Sequence, residues 1–400
     1  MINKIKILRN KYYSVSLGRF YQSTRLYLLL LFLKIVNSTI FWRNINNKIP
    51  DKINKILLIN PQGIGDFLVL TPTIRALKNK YKQAKLIYVS SLYAYDIVKN
   101  NQNIYKIYTY PITLIDYVKF IYNLRKEEID LSIDFQMTVS SLSRSMIGFL
   151  SGAFSHLAYK RKGFRSFLPT HEIKWPGSHM VINYLETAHY LNCHIKSNIL
   201  EVNIDDNSQQ FVLELLNKKE HINKILIGIH PSTHNPLHRW STERFIEFIN
   251  KLSNSNTSIF LLGERDEQTK IISEACSGKI IDLTGRTNIF QYIAIIKKIN
   301  LLISIDTSAV HVASATNTPT IALYGPTIEN YWGPWNKWNQ ILIQKKLRCE
   351  GKCRDCDTNK IITGREICVE KENICLTEDI TVKDVMLAFE SLANSYGWKF

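Results

Sequence analysis

The stretch Ile303-Ser304-Ile305-Asp306-Thr307-Ser308-Ala309-Val310-His311-Val312-Ala313-Ser314-Ala315 limits what this chain can fold into more than any other. It opens in the short apolar run Leu301 to Ile305, the pattern of a strand buried on both faces of a parallel sheet. Asp306-Thr307-Ser308 then supplies residues that favour turns and helix N-caps, and the small residues from Val310 to Ala315 continue as a helix. A strand that ends this way places a carboxylate and two hydroxyls at the carboxyl edge of a sheet. The unpaired N–H groups of a helix start lie beside them and suit the phosphates of a nucleotide. His311 falls about one turn into that helix, on the face that can look back at such a ligand.

The same grammar opens two earlier segments. Lys55 to Asn60 reads as a buried strand, Pro61-Gln62-Gly63-Ile64-Gly65-Asp66 as a glycine turn, and Phe67 to Lys80 as a helix with Leu68, Leu70, Ile74 and Leu77 on helical spacing. Lys224 to His230 reads as another strand, followed by a turn at Pro231-Ser232-Thr233 and a helix that Ser241 can cap. Two halves that each open strand, turn, helix predict two Rossmann-like domains of α/β class facing across a cleft. Gly63-x-Gly65 by itself is weak evidence for a nucleotide, because the third glycine of the dinucleotide fingerprint is absent.

Several of these segments together resemble glycosyltransferase family 9, which contains the bacterial lipopolysaccharide heptosyltransferases. The resemblance rests on Asp306-Thr307-Ser308-x-x-His311-x-Ala313-Ser314-Ala315 with Thr318-Pro319-x-x-Ala322-Leu323-Tyr324-Gly325-Pro326-Thr327, and on Gly63-x-Gly65-Asp66-x-x-x-x-Thr71-Pro72. It implies the GT-B architecture and metal-independent, inverting transfer of a heptose or related sugar from a nucleotide diphosphate, ADP-heptose in the first instance, to a lipid-linked saccharide. It makes Asp66 the catalytic base, a role for which a carboxylate in a cleft is chemically suited; read from the residues alone, Asp66 can equally cap the helix that follows. It places the donor against Asp306, Thr307, Ser308 and His311, with His238 and Arg239 at its phosphates and Glu267 near its hydroxyls; Thr233, in the turn after Lys224 to His230, is a further donor-binding candidate. Ser308 stands where the family pattern has Gly, and His238 where it has Lys. Arg239 can supply the missing charge, being permanently protonated and able to fork onto a diphosphate. Glu267 also reads as an ordinary acidic first helical turn.

Charge bears on the partners. The 400 residues carry a formal charge of +17, and residues 1–50 hold nine Lys and Arg and no acid. No nucleic-acid-binding pattern accompanies this surplus, and Leu, Phe and Trp are interleaved with the basic residues, which points to an anionic membrane surface. Leu26 to Trp42 is too short and too interrupted, by Lys34, Asn37, Ser38 and Thr39, for a span of about 20 residues. It reads as a basic amphipathic arm, with a helix packed on the first domain as the alternative. The expected location is cytoplasmic, peripheral on the inner face of the bacterial cytoplasmic membrane.

The expected organisation is an arm over 1–50, an acceptor-binding domain over 51–205, a nucleotide-sugar-binding domain over 206–345, and a Cys-rich tail with a closing helix over 346–400. In the second of these, Arg144, Lys160 and Arg161 are candidates to grip an acidic acceptor; as plain residues, Arg144 reads more often as a solvated or surface-paired charge, and Lys160 and Arg161 equally as a basic loop that adds solubility. Cys349, Cys353, Cys356, Cys368 and Cys375 have spacings compatible with a structural zinc, a redox-labile tail or plain thiols. No cofactor is expected for the transfer itself. The last helix, Val382 to Ser395, presents Val385, Leu387, Ala388 and Leu392 for packing. Two other readings fit the same fold, a nucleotide-sugar epimerase and a catalytically inactive sugar-binding scaffold.

Overall fold

The computed structural model describes residues 49–136, 142–160, 168–218, 221–235, 238–253, 256–325, 327, 329–335, 340–344 and 379–399. Residues 1–48 of the basic arm, Arg161 and the five tail cysteines lie outside them.

Two six-stranded sheets are built from β1 (Lys55–Ile59), β2 (Lys85–Ser90), β3 (Ile104–Thr109), β4 (Leu131–Asp134), β5 (Ser155–Tyr159) and β6 (His171–Ile173), and from β7 (Ile225–His230), β8 (Thr257–Leu261), β9 (Ile280–Asp282), β10 (Leu301–Ile305), β11 (Thr320–Tyr324) and β12 (Gln340–Gln344). The first runs β3-β2-β1-β4-β5-β6 and the second β12-β11-β10-β7-β8-β9, so the second repeats the first when read from its other edge. Every strand pairing is parallel. This is the doubly wound order of a Rossmann-like domain, made twice. In such sheets ligands bind outside the carboxyl ends of the strands where the order reverses, between β1 and β4 and between β7 and β10. The continuous apolar runs of β1 and β10 follow from helices covering both faces; Ile56 to Ile59 and Leu301 to Ile303 are fully buried.

The Ile64–Lys80 helix begins three residues earlier than its apolar spacing predicts, because Ile64, Gly65 and Asp66 already have helical hydrogen bonding and Gly63 is the N-cap. Pro72 sits inside it and cannot donate to Leu68. The Thr71 hydroxyl donates to the Leu68 carbonyl instead, at 2.7 Å, and accepts the Glu201 N–H at 3.0 Å. Thr71 thereby occupies the Leu68 carbonyl that Pro72 leaves without a donor.

The halves meet helix on helix. Phe67, Leu68, Ala309, Val312, Ala313 and Ile293 belong to one apolar core that runs from the first half into the second. Around it, Trp335 Nε1 donates to the Asn198 carbonyl at 2.9 Å, and the Trp175 ring meets Tyr331 edge-on at 6.0 Å. The closing Val382–Tyr396 helix buries Val385, Ala388, Phe389 and Leu392 against the second half. Leu387 was expected on that face and is 55% exposed. Positions 385, 388, 389 and 392 already complete one helical stripe, and 387 points away from it. Just before this helix the Ile380 carbonyl accepts Trp240 Nε1 at 2.8 Å and Arg244 Nη1 at 2.6 Å, which ties the chain's end to the segment that carries His238 and Arg239.

Candidate active site

Two helix starts face each other at the switch points. After β1, Gly63 caps the Ile64–Lys80 helix and Asp66 stands at its third position. The Asp66 carboxylate turns back to accept the Gly63 N–H at 3.2 Å, so it fills one of the helix's unpaired donors without being the N-cap residue. Asn60 Nδ2 donates to the Asp66 carbonyl at 3.4 Å, and Tyr88 donates to the Asn60 carbonyl at 3.3 Å. The half-buried carboxyl is lifted to about 6, because desolvation outweighs the backbone hydrogen bonds that favour the anion.

After β10, Thr307 caps the Ser308–Thr316 helix, its hydroxyl accepting the Ala309 N–H at 3.3 Å. That hydroxyl also lies 3.4 Å from Nδ1 of His230, at the end of β7, whose pKa burial lowers to about 4. His230 is thus a neutral wall of the site at physiological pH. Asp306 takes the Thr327 hydroxyl and lies 3.3 Å from His238 Nδ1. Burial raises the Asp306 pKa while His238 opposes the rise. Ser308 has no positive φ, so the backbone does not require the glycine of the family pattern.

Gly65 explains how close the two starts come. A Cβ placed there would stand 2.9 Å from His311 Cδ2 and 3.6 Å from Ser308 Cα. His311 is buried, burial depresses its pKa to about 3, and its Nδ1 has no hydrogen-bond partner. The Trp332 ring packs edge-on against it at 6.1 Å.

Asp66, Gly65, Asp306, Thr307, Ser308, His311 and His238 therefore form one locus. Arg239 stands beside it, reaching the Thr233 carbonyl at 3.4 Å and Asp266 at 3.6 Å, with its Nε buried and unpartnered. Glu267 does not join them. It is 79% exposed and pairs with Lys270 at 3.8 Å, because Asp266 caps its helix and turns position 267 outward. Arg144 lies 5.0 Å over the Tyr110 ring, and Lys160 is an exposed residue just after β5. Among the described residues no group of three or more His, Cys, Asp or Glu is placed to hold a metal.

Sequence reasoning passed over Thr327, His230 and His179. Thr327, just beyond β11, and His230, the last residue of β7, were legible from their places at strand ends in the second half. His179 had no signal. It caps the Met180–Tyr190 helix by accepting the Val181 N–H at 3.3 Å, so its other nitrogen donates, to the Gly333 carbonyl at 2.9 Å. Its ring stacks on Trp335 at 4.7 Å, joining the halves beside His311.

A family model described as Glycosyltransferase family 9 (heptosyltransferase) matches residues 117–362. Among curated proteins, lipopolysaccharide heptosyltransferase 3 of Escherichia coli is 26% identical over 295 residues, 68% of this chain and 83% of that protein. Lipooligosaccharide heptosyltransferase 2 of Haemophilus ducreyi is 25% identical over 319 residues, 72% and 88% of the two chains. Among solved structures, a family 9 glycosyl transferase from Veillonella parvula superposes with TM-score 0.69 at 18% identity, over 88% of this chain and all of that one. The E. coli ADP-heptose lps heptosyltransferase II gives 0.67 at 17%, over 86% and 99%. The iron-containing dodecameric glycosyltransferase TibC of E. coli gives 0.55 at 11%, over 86% and 77%. The fold is GT-B, and the chain belongs to glycosyltransferase family 9, the heptosyltransferases.

Proposed function

We propose that this chain transfers a heptose from ADP-heptose to a lipopolysaccharide core or similar lipid-linked saccharide, with inversion, at the inner face of the cytoplasmic membrane. The observation that carries the reading is the approach of the Asp66 helix start to the Ser308–Thr316 helix start across Gly65. The acceptor oxygen attacks the anomeric carbon as the bond from that carbon to the diphosphate oxygen breaks. Asp66 takes the acceptor proton, and ADP leaves with the bonding electrons. A base whose pKa lies near the working pH suits that task. The diphosphate lies against Thr307, Ser308 and the start of their helix, where the helix dipole favours negative charge. His238 and Arg239 stand on its other side and take the part of the family's Lys. His311 closes the site between the halves. Residues 51–205 then hold the acceptor and 206–345 the donor, with no cofactor in the step.

The names of the relatives support the sugar class, and the E. coli heptosyltransferase II, named for ADP-heptose, supports the nucleotide. Calorimetric titration with ADP, UDP, GDP, CMP and ADP-heptose tests the reading. Preferred binding of ADP and ADP-heptose, lost in Asp306→Ala, is the expected result. A preference for UDP or GDP would move the chain to another sugar class, and no binding to any of them would remove the donor assignment.

A further inference from the structure

The Leu114–Arg125 helix is apolar on two faces. Tyr117, Phe120 and Leu124 pack inward against the first sheet. Leu114, Ile115, Val118 and Tyr122 form a second stripe at helical spacing and face solvent, Ile115 at 69% and Tyr122 at 58% exposure. A helix that is apolar on both sides is ordinarily buried on both, so the outer stripe lacks a covering layer. Leu92, Tyr93 and Ile112, on the loops after β2 and β3, extend the exposed surface. A groove of about 510 Å³ runs between those loops and the helix, lined by Leu92, Tyr110, Pro111, Ile112, Lys119 and Phe120.

The charges around this face narrow what can cover it. Lys119 lines the groove, Lys126 Nζ lies 4.4 Å over the Tyr122 ring, and Arg144 lies over Tyr110. Asp116, the acid on the helix's first turn, is held by the Thr113 hydroxyl at 2.6 Å. A second copy of the chain would set these basic groups against their own kind. Residues 1–48 carry nine Lys and Arg and no acid, so the arm is no better matched. An anionic, partly apolar surface fits both the stripe and its basic, tyrosine-rich border.

We propose that this face docks on an anionic phospholipid bilayer, with Ile115 and Val118 entering the headgroup boundary and Lys119 and Lys126 meeting lipid phosphates. The inference deepens the reading of a lipid-linked acceptor and rests on it for its purpose. The groove connects to the turn that leads into the Asp66 helix: the Tyr110 N–H donates to the Ser90 carbonyl at 2.8 Å, and the Ser91 hydroxyl donates to the Gln62 carbonyl in the turn before Gly63. A saccharide anchored in the same bilayer is thereby presented at the side of the cleft that holds the base.

The test uses the full chain with phosphatidylcholine vesicles and with vesicles rich in phosphatidylglycerol. Amide exchange over residues 111–126 should slow only with the anionic vesicles. The double variants Ile115→Asp/Val118→Asp and Lys119→Glu/Lys126→Glu should each lose about tenfold or more in vesicle affinity, with ADP binding and melting temperature unchanged. Unslowed exchange in that segment, or variants that bind vesicles as the parent does, would overturn the docking assignment and leave the arm as the membrane contact. A self-associating parent made monomeric by Ile115→Asp/Val118→Asp, with vesicle binding intact, would assign the face to a second copy. Slowed exchange together with no ADP or ADP-heptose binding would keep the docking face and sink the proposed reaction instead, so the two failures are distinguishable.

Discussion

The starts of the Ile64–Lys80 and Ser308–Thr316 helices lie at the switch points of two sheets with the same strand order, yet they are finished differently. In the first half a carboxylate, Asp66, lies on one of the helix's own N-terminal donors, the Gly63 N–H. In the second the cap is the neutral hydroxyl of Thr307, and the nearby carboxylate, Asp306, is engaged by Thr327 and His238. A helix start already holding an anion is a poor seat for a phosphate; one capped by a hydroxyl remains a good one. In the proposed reaction, one topology used twice yields a base in one half and an anion seat in the other, and the side chain on the first turn decides which.

The sharpest way to break this division is Asp66→Asn. It should lower transfer about 10²- to 10⁴-fold while leaving ADP affinity within a few-fold, read by initial rates and calorimetry. In the parent, kcat/KM should fall as pH drops through about 6, where the base is protonated. Stability carries the opposite sign. The folded pKa lies above the unfolded value, so stability declines as pH rises from the ordinary carboxylate range through about 6. Asp66→Asn should therefore melt a few degrees higher than the parent near pH 7.5 and at the same temperature near pH 4. Equal melting curves at both would show that the carboxyl is not desolvated, and a large loss of ADP affinity would mean that both helix starts serve the donor.

Gly65→Ala tests the closeness of the two starts. At an ordinary interior helix position this change stabilises by about 0.5–1 kcal/mol. Here the added methyl meets the His311 ring and lies near the Ser308 backbone, so a cost of about 1–3 kcal/mol is expected, with a drop of about tenfold or more in kcat/KM. Stabilisation with full activity would show that the halves need not approach as they do.

These two residues also mark how far the sequence could be read. Parallel strands buried on both faces are visible as apolar runs, and β10 lies where its run predicts, Leu301–Ile305. Asp306, Thr307 and His311 were legible because a strand end followed by a cap fixes where they point. The apolar spacing starts the first helix at Phe67, because Ile64-Gly65-Asp66 reads as a loop until the opposing helix explains why a glycine stands in a first turn. His179 was invisible for a related reason. Its partners, Gly333 and Trp335, are more than 150 positions away, and no local period reports a contact between halves.

Thr71→Val acts on the first half alone. The isosteric change removes the donor that replaces the missing Pro72 bond to Leu68 and the acceptor for the Glu201 N–H. A cost of about 1–2 kcal/mol is expected in urea unfolding, with ADP affinity unaltered because the proposed donor seat is in the other half. A loss of ADP affinity beyond the loss of folded protein would show that the Thr71 contacts in the first helix set the shape of the second half's site.

Glu267→Gln should do least, and for that reason it tests the second half most selectively. The family resemblance places an acidic residue near the donor's hydroxyls, whereas the structure turns this side chain to solvent, where it pairs loosely with Lys270. Its helix is capped by Asp266, which accepts the Thr269 N–H at 2.9 Å and needs nothing from its neighbour. ADP-heptose affinity, kcat and melting temperature should all stay within about twofold or a degree of the parent, as for an exposed pair. A tenfold rise in KM for ADP-heptose with ADP affinity unchanged would mean that Glu267 swings inward onto the sugar. The second half's site would then be completed by its ligand, whereas the first half's carboxylate is already fixed by its own helix.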